Sequence, residues 1–478
     1  MWKFIRRHPH SSPFGLFLGL AGASLLLTAL APRTYGGSAD YSDFEDPLGS
    51  RPRPAPELFS QPQGVLVTQQ LASNYNPNLA LNVASATQPG AFQPQQVDAD
   101  ASWTGAGANT NWNNPANWTA GGPPNALQVA SFDGTFSNQP NITISTIVGE
   151  LRMATGVAQN VTISSSAAQI LTFEGVGGTG ILIDNASAFT LTITARVGLD
   201  ASETWTNNSG NLFTVSGTTL GLGEDNTLTV NGTGNTLISA FTDGAGMGSA
   251  ILKDGSGTLT ITAANAYSGG TTVNGGTLLV NNTIGSGTGD GDVTVNGAGT
   301  TLGGTGIISE RVTVNAGANI APGNGGHTTS VLTVGAVTLA PGANFLVDIN
   351  GTSPGTGYDR LVVTASGNNQ FVITNSNLVV TVGTTLSVGQ TFLIGQRIAN
   401  QPITGQFAQG SSVVGSDGTV FSVSYTGGDG NDIVLTVVAA PVPEPSTWMG
   451  GALAIAGLAF TQHRKLRKLI ARHRAVGS

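Results

Sequence analysis

The chain has 478 residues and no cysteine, which excludes a disulfide framework and any thiolate metal site. Charged residues are only 9% of it, so ion-pair networks cannot be its main support. Aromatic residues stand at 6%, too few for the large aromatic core of a typical β-sandwich. Between Ser102 and Val438 no stretch keeps a 3.6-residue period long enough for a confident helix. Histidine is nearly missing as well. Between the two apolar ends of the chain there is one, His327, in the polar loop Gly325-Gly326-His327-Thr328-Thr329, and no Ser-His-Asp set can be assembled around it.

What is abundant is glycine, 68 residues, about twice the ordinary share of roughly 7%. At that density glycine weakens helix and strand interiors unless it falls at regular turns. The segments between the glycines alternate: Asn141-Ile142-Thr143-Ile144, Leu191-Thr192-Ile193, Thr227-Leu228-Thr229-Val230, Thr258-Leu259-Thr260-Ile261 and Thr277-Leu278-Leu279-Val280. Period-two alternation with threonine outward predicts strands with one buried face. They recur every dozen to twenty residues. Asn231-Gly232, Asn274-Gly275-Gly276, Asn296-Gly297 and Asn350-Gly351 follow strands and supply the left-handed conformations of sharp turns. Small, regular rungs with Leu, Ile and Val inside and Thr and Asn outside favour a β-solenoid over a sandwich.

Both ends carry export signals. Lys3, Arg6 and Arg7 precede an uncharged apolar run from Phe14 to Ala31, the form of a secretory signal, with Ala29-Leu30-Ala31 and Gly37-Ser38-Ala39 as alternative cleavage sites or an uncleaved anchor as a third outcome. His8 and Pro9 after Arg6-Arg7 fit a twin-arginine signal poorly, so general secretion is expected. At the other end Val442-Pro443-Glu444-Pro445-Ser446 is followed by the apolar run Trp448 to Phe460 and the basic cluster His463-Arg464-Lys465-Leu466-Arg467-Lys468. The prolines predict an extended, enzyme-readable segment. Arg464, Lys465, Arg467 and Lys468 are the expected membrane stop, cytoplasmic by the positive-inside rule. The apolar run is thirteen residues, about 20 Å as a helix against a hydrocarbon core of roughly 30 Å, a marginal span.

This tail resembles the PEP-CTERM sorting signal of bacterial surface proteins. The resemblance implies recognition by an exosortase near Pro443, Glu444 and Pro445; an ordinary tail anchor is the other reading. The stretch Leu252-Lys253-Asp254-Gly255-Ser256-Gly257-Thr258-Leu259, then Asn265-Ala266-Tyr267-Ser268-Gly269-Gly270-Thr271-Thr272-Val273 and Gly276-Thr277-Leu278, resembles the autotransporter-associated β-strand repeat. That implies a parallel β-helix rung in an exported, passenger-like region. Val312 to Ala318 and Leu339 to Ala343 read as further, degenerate rungs. The alternating strands of an autotransporter's membrane barrel do not follow Val438.

The expected fold is therefore all-β: a right-handed parallel β-helix with a smaller C-terminal β unit, an N-terminal signal and a C-terminal transmembrane helix. Its divisions are a signal or anchor at 1–39, a Pro/Gln-rich linker at 40–100, the solenoid at 101–345 with the repeat at 252–281, the terminal β unit at 346–440, and the sorting segment at 441–478.

Between Asp40 and Pro443 eight basic residues face twenty-five acidic ones, a net charge of −17. Nucleic acid and anionic lipid, which need a basic face, are excluded as partners of this body. Gly427-Gly428-Asp429-Gly430-Asn431-Asp432-Ile433-Val434-Leu435 fits the nonapeptide calcium pattern, making Asp429 and Asp432 candidate ligands, or a glycine-rich turn before the last strand. Trp103, Trp112 and Trp118 could stack on sugar rings or close the end of the solenoid. Paired acids such as Glu224-Asp225, or Asp290 with Asp292, sit in turns rather than across a cleft, and the basic residues of the body are scattered. The functional expectation is a non-enzymatic surface or matrix protein without cofactor, sorted by an exosortase and associated with exopolysaccharide. The alternatives are a polysaccharide lyase or hydrolase and a calcium-dependent adhesin.

Overall fold

The computed structural model describes residues 100–166, 168–184, 188–239, 248–440 and 445–475. The expected signal at 1–39 and all but the last residue of the expected linker lie outside these residues, as do Pro443 and Glu444.

Alternating Val/Ile/Leu and Thr segments become strands that pair in parallel, one coil onto the next, so the body is a parallel β-helix. Parallel ladders also dispose of the sandwich alternative. Sheet A has seventeen strands, sheet B eleven, and a third, short sheet four. One coil takes from 18 residues, Leu302 to Ile320, to 34, Val337 to Phe371. From Thr227 to Ile349 consecutive strands alternate between sheets A and B, so the shorter spacing read from the sequence is a fraction of a coil.

Register sets the core. In sheet A, Leu228, Ile251, Thr271, Val293, Val312, Val337 and Phe371 stack in one inward column. In sheet B, Leu259, Leu278, Leu302, Ile320, Phe345 and Leu378 do the same, all buried. Each aliphatic side chain so buried contributes about 1.5–3 kcal/mol. Outside, two asparagine ladders tie coils together. Asn274 donates to Asp254, Asn296 to Asn274 and Asn315 to Asn296 on one corner; Asn344 donates to Asn319 and Asn377 to Asn344 on another.

Turns between coils touch backbone to backbone. A Cβ on Gly255 would lie 2.4 Å from the Gly232 carbonyl oxygen, and one on Gly276 2.3 Å from that of Gly257. Both glycines also have positive φ, so no other residue fits there without displacement.

Both ends of the coil are closed. Over the first coil Trp103, Trp112 and Trp118 pack together, with centroids 4.8 to 6.2 Å apart and exposures of 2%, 0% and 3%. Trp103 Nε1 donates to the Asn138 carbonyl and Trp118 Nε1 to that of Trp112. Buried rings cannot stack on sugar, which leaves closure as their role. At the other end parallel stacking runs on past residue 345, through Arg360–Val363 and Asn377–Val382. It turns antiparallel where Thr391–Arg397 meets Asp432–Ala439, which pairs with Val420–Gly427 and through it with Ser412–Val414.

The tail is helical, α1 (Pro445–Ala475), with Pro445 at its first residue, where a missing N–H costs nothing. Here the expectation of a transmembrane helix is corrected. No helix among the described residues is long and apolar enough to cross a membrane. The physical reason is the short apolar run from Trp448 to Phe460, beyond which α1 turns basic; Arg464, Lys465, Arg467 and Lys468 are exposed on it, and the Arg464 guanidinium lies 5.0 Å from the Phe460 ring centroid.

Candidate functional site

The outward side of sheet B carries a groove of about 450 Å³, within the ordinary range of ligand sites, roughly 300–1,000 Å³. It follows from the strand period: residues alternate with the buried column, so Leu279, Gly303, Ala321, Leu346 and Val379 form its floor. Thr258, Thr277 and Thr301 are in register along one side. The loop Gly323 to His327 forms the other wall, with Asp348 and Thr381. No lysine or arginine lines it.

That loop is held firmly. Gly323 and Gly304 exchange backbone hydrogen bonds of 2.8 and 2.7 Å, Thr328 Oγ1 donates to the Gly325 carbonyl, and Asn350 Nδ2 donates to that of His327. His327 itself adopts φ 61°, and its Nδ1 lies 2.9 Å from Asp348 Oδ1. The hydrogen bond to Asp348 and its negative charge raise the imidazole pKa above its ordinary value. The loop histidine thus has a carboxylate partner 21 residues on, which sequence reading missed because only stacking brings the two together. Behind them Asp359 is buried, with Oδ1 accepting from Ser330 N–H and Oδ2 from Asp348 N–H. Burial pushes its carboxyl up to about 7, against the pull of the two N–H donors. Among the described residues Asp348 is the hydrogen-bond partner of the imidazole, and no nucleophile is bonded to it.

Two ionisable groups inside the coil also escaped the sequence reading. Lys253 points inward, 2% exposed, with Nζ donating to the carbonyls of Asp254, Gly255 and Gly275 at 2.6, 3.0 and 3.1 Å. Burial pulls its ammonium down to about 8, against the opposing pull of the Asp254 carboxylate, so it stays largely charged at neutral pH. Glu203 is also 2% exposed; Oε1 accepts from Trp205 Nε1 at 2.5 Å and Oε2 has no partner. Desolvation raises its carboxyl to about 8.

Glu203 makes stability depend on pH. Its folded pKa lies above the unfolded value near 4.5, so between those values the folded state holds a proton the unfolded state lacks, and stability falls as pH rises through that window to about 8. Asp359 acts with the same sign from about 4 to 7. Glu203→Gln is therefore expected to raise the melting temperature at pH 8 by a few degrees and to remove the decline between pH 7 and 8. Calorimetry at pH 5, 7 and 8 checks this; an unaltered decline would place the titration elsewhere.

The calcium-pattern turn is the hairpin joining Val420–Gly427 to Asp432–Ala439. Asp429 is exposed, whereas Asp432 is buried and accepts from the backbone N–H groups of Arg397 and Asp429. Burial, and behind it the charge of Asp429, pushes the Asp432 carboxyl up, and among the described residues no group of three or more His, Asp or Glu is placed to hold a metal ion. The paired turn acids Glu224-Asp225 and Asp290 with Asp292 lie away from the groove lining.

No curated protein matches the chain. A family model does match part of the helix: residues 251–280, carrying Lys253, Tyr267 and the turn glycines, are similar to the passenger-associated transport repeat.

Proposed function

We propose that the chain is an exported, non-enzymatic β-helix protein of the cell surface or extracellular matrix of a Gram-negative-type bacterium, sorted through Pro443-Glu444-Pro445 by an exosortase. The observation that carries this reading is the passenger-type repeat at 251–280, built into a continuous parallel coil. A right-handed coil is the form such strand–crossover–strand connections take. The apolar run before Phe460 is too short to serve as a permanent anchor, which suits a tail that is handled and then removed. The surface body needs no cofactor in this reading, and its stacked ladders give an acidic coil suited to a polysaccharide matrix.

Intact mass spectrometry of the chain recovered from the cell surface tests the proposal. Loss of the basic tail with a new C-terminus near Pro443 is expected. A surface chain ending at Ser478 would refute sorting at the motif, and retention in the cytoplasm would refute export.

A further inference from the structure

We infer that the groove on sheet B binds a neutral, extended polysaccharide chain, an inference that rests on the surface or matrix reading and names the ligand class of its site. The groove runs along the coil axis across six stacked strands, from Thr258 to Thr381. Neighbouring strands are about 4.8 Å apart, so its length is about 24 Å. That spacing is close to the length of one pyranose in an extended β-1,4 chain. Each sugar therefore meets one strand, with alternate rings turned over about the chain axis.

The lining matches the two surfaces of a pyranose. Leu279, Ala321, Leu346 and Val379 give an apolar floor for the C–H face of a ring. Thr258, Thr277 and Thr301 on one side and the His327–Asp348 pair on the other give donors and acceptors for the equatorial hydroxyls at the ring edges. Since the wall loop is already pinned by its own hydrogen bonds, little ordering remains to be done on binding.

Charge decides between sugar classes. No lysine or arginine lines the groove, the His327 imidazole is already paired with Asp348, and the body carries −17. A polyuronate or a nucleic acid would bring negative charge without any partner to offset its desolvation. An added peptide strand is excluded on other grounds: it needs a free sheet edge, and this floor is a sheet face whose strands are paired on both sides through most of its length.

Titration calorimetry of the purified full-length chain with a β-1,4 glucose hexasaccharide, and with the glucuronate hexasaccharide of the same linkage, separates the cases. The glucose hexamer should bind at least tenfold tighter. Thr277→Ala combined with Thr301→Ala should weaken it about fivefold or more. Thr294→Ala combined with Thr313→Ala, at outward positions of sheet A, should leave it unchanged. Equal or tighter binding of the glucuronate hexamer, an equal loss in the sheet A variant, or no binding of the glucose hexamer would overturn the inference. Each of these leaves the sorting proposal standing, because that is read from the mature C-terminus.

Discussion

Lys253→Met should lower the chemical unfolding midpoint of the coil by the equivalent of roughly 2–4 kcal/mol, although it removes a buried charge. In register Lys253 lies between Val230 and Val273, a place that its neighbours fill with aliphatic side chains. Methionine would fill it with similar volume, so packing alone predicts little change. The reason for a lysine is the backbone. The turn at Asp254-Gly255 and the next one at Gly275-Gly276 stack so closely that their carbonyls are shielded from water, and the Nζ of Lys253 is their donor. Methionine leaves three acceptors unpaired, each costing about 1–3 kcal/mol when buried, offset in part by the ammonium's own desolvation. Lys253→Ala, which adds a cavity, should cost more. A midpoint unchanged in Lys253→Met would mean that water reaches the turns and that the lysine is dispensable.

Trp112→Ala should be as damaging, about 3–5 kcal/mol, and should also expose the first coil. Trp112 is fully buried between Trp103 and Trp118, and its backbone N–H donates to the Asn141 carbonyl, so it both fills and pins the closing loop. A parallel coil without a cap presents unpaired strand edges and apolar columns, which invite end-to-end association. The variant is thus expected to melt lower and to sediment as dimers or larger species, measured by ultracentrifugation. Trp112→Phe keeps most of the volume and should lie between, helped by the fact that Trp112 Nε1 has no partner to lose. If Trp112→Ala sediments and melts as the parent does, the tryptophans do not close the coil.

Much of the fold is legible locally. Thr258-Leu259-Thr260-Ile261 announces a one-sided strand, and Asn274-Gly275-Gly276 a turn, because side-chain alternation and left-handed backbone are properties of a few neighbouring residues. The repeat was readable for the same reason, being only 30 residues long. The apolar run at Trp448 was equally visible, yet a signal of membrane character is not a membrane-length helix.

The site was not legible in this way. His327 alone is an ordinary loop residue; Thr258, Thr301 and Asp348 alone are ordinary strand residues facing out. They share a groove because coils of unequal length nonetheless place strands of sheet B in register, and coil length is set by how each turn packs on the one below. The buried Glu203 and Lys253 were hidden for a related reason: a charged residue in an alternating run shows its identity but not which way the strand faces.

The sequence by itself determined the β class, the turn positions and the acidity of the body, since each depends on composition or on short-range pattern. Tertiary structure alone decided that the three tryptophans close the first coil, that Lys253 serves carbonyls instead of solvent, and that residues from Thr258 to Thr381 line one groove. Those outcomes depend on which coil lies above which, and that is settled by packing between residues far apart in the chain.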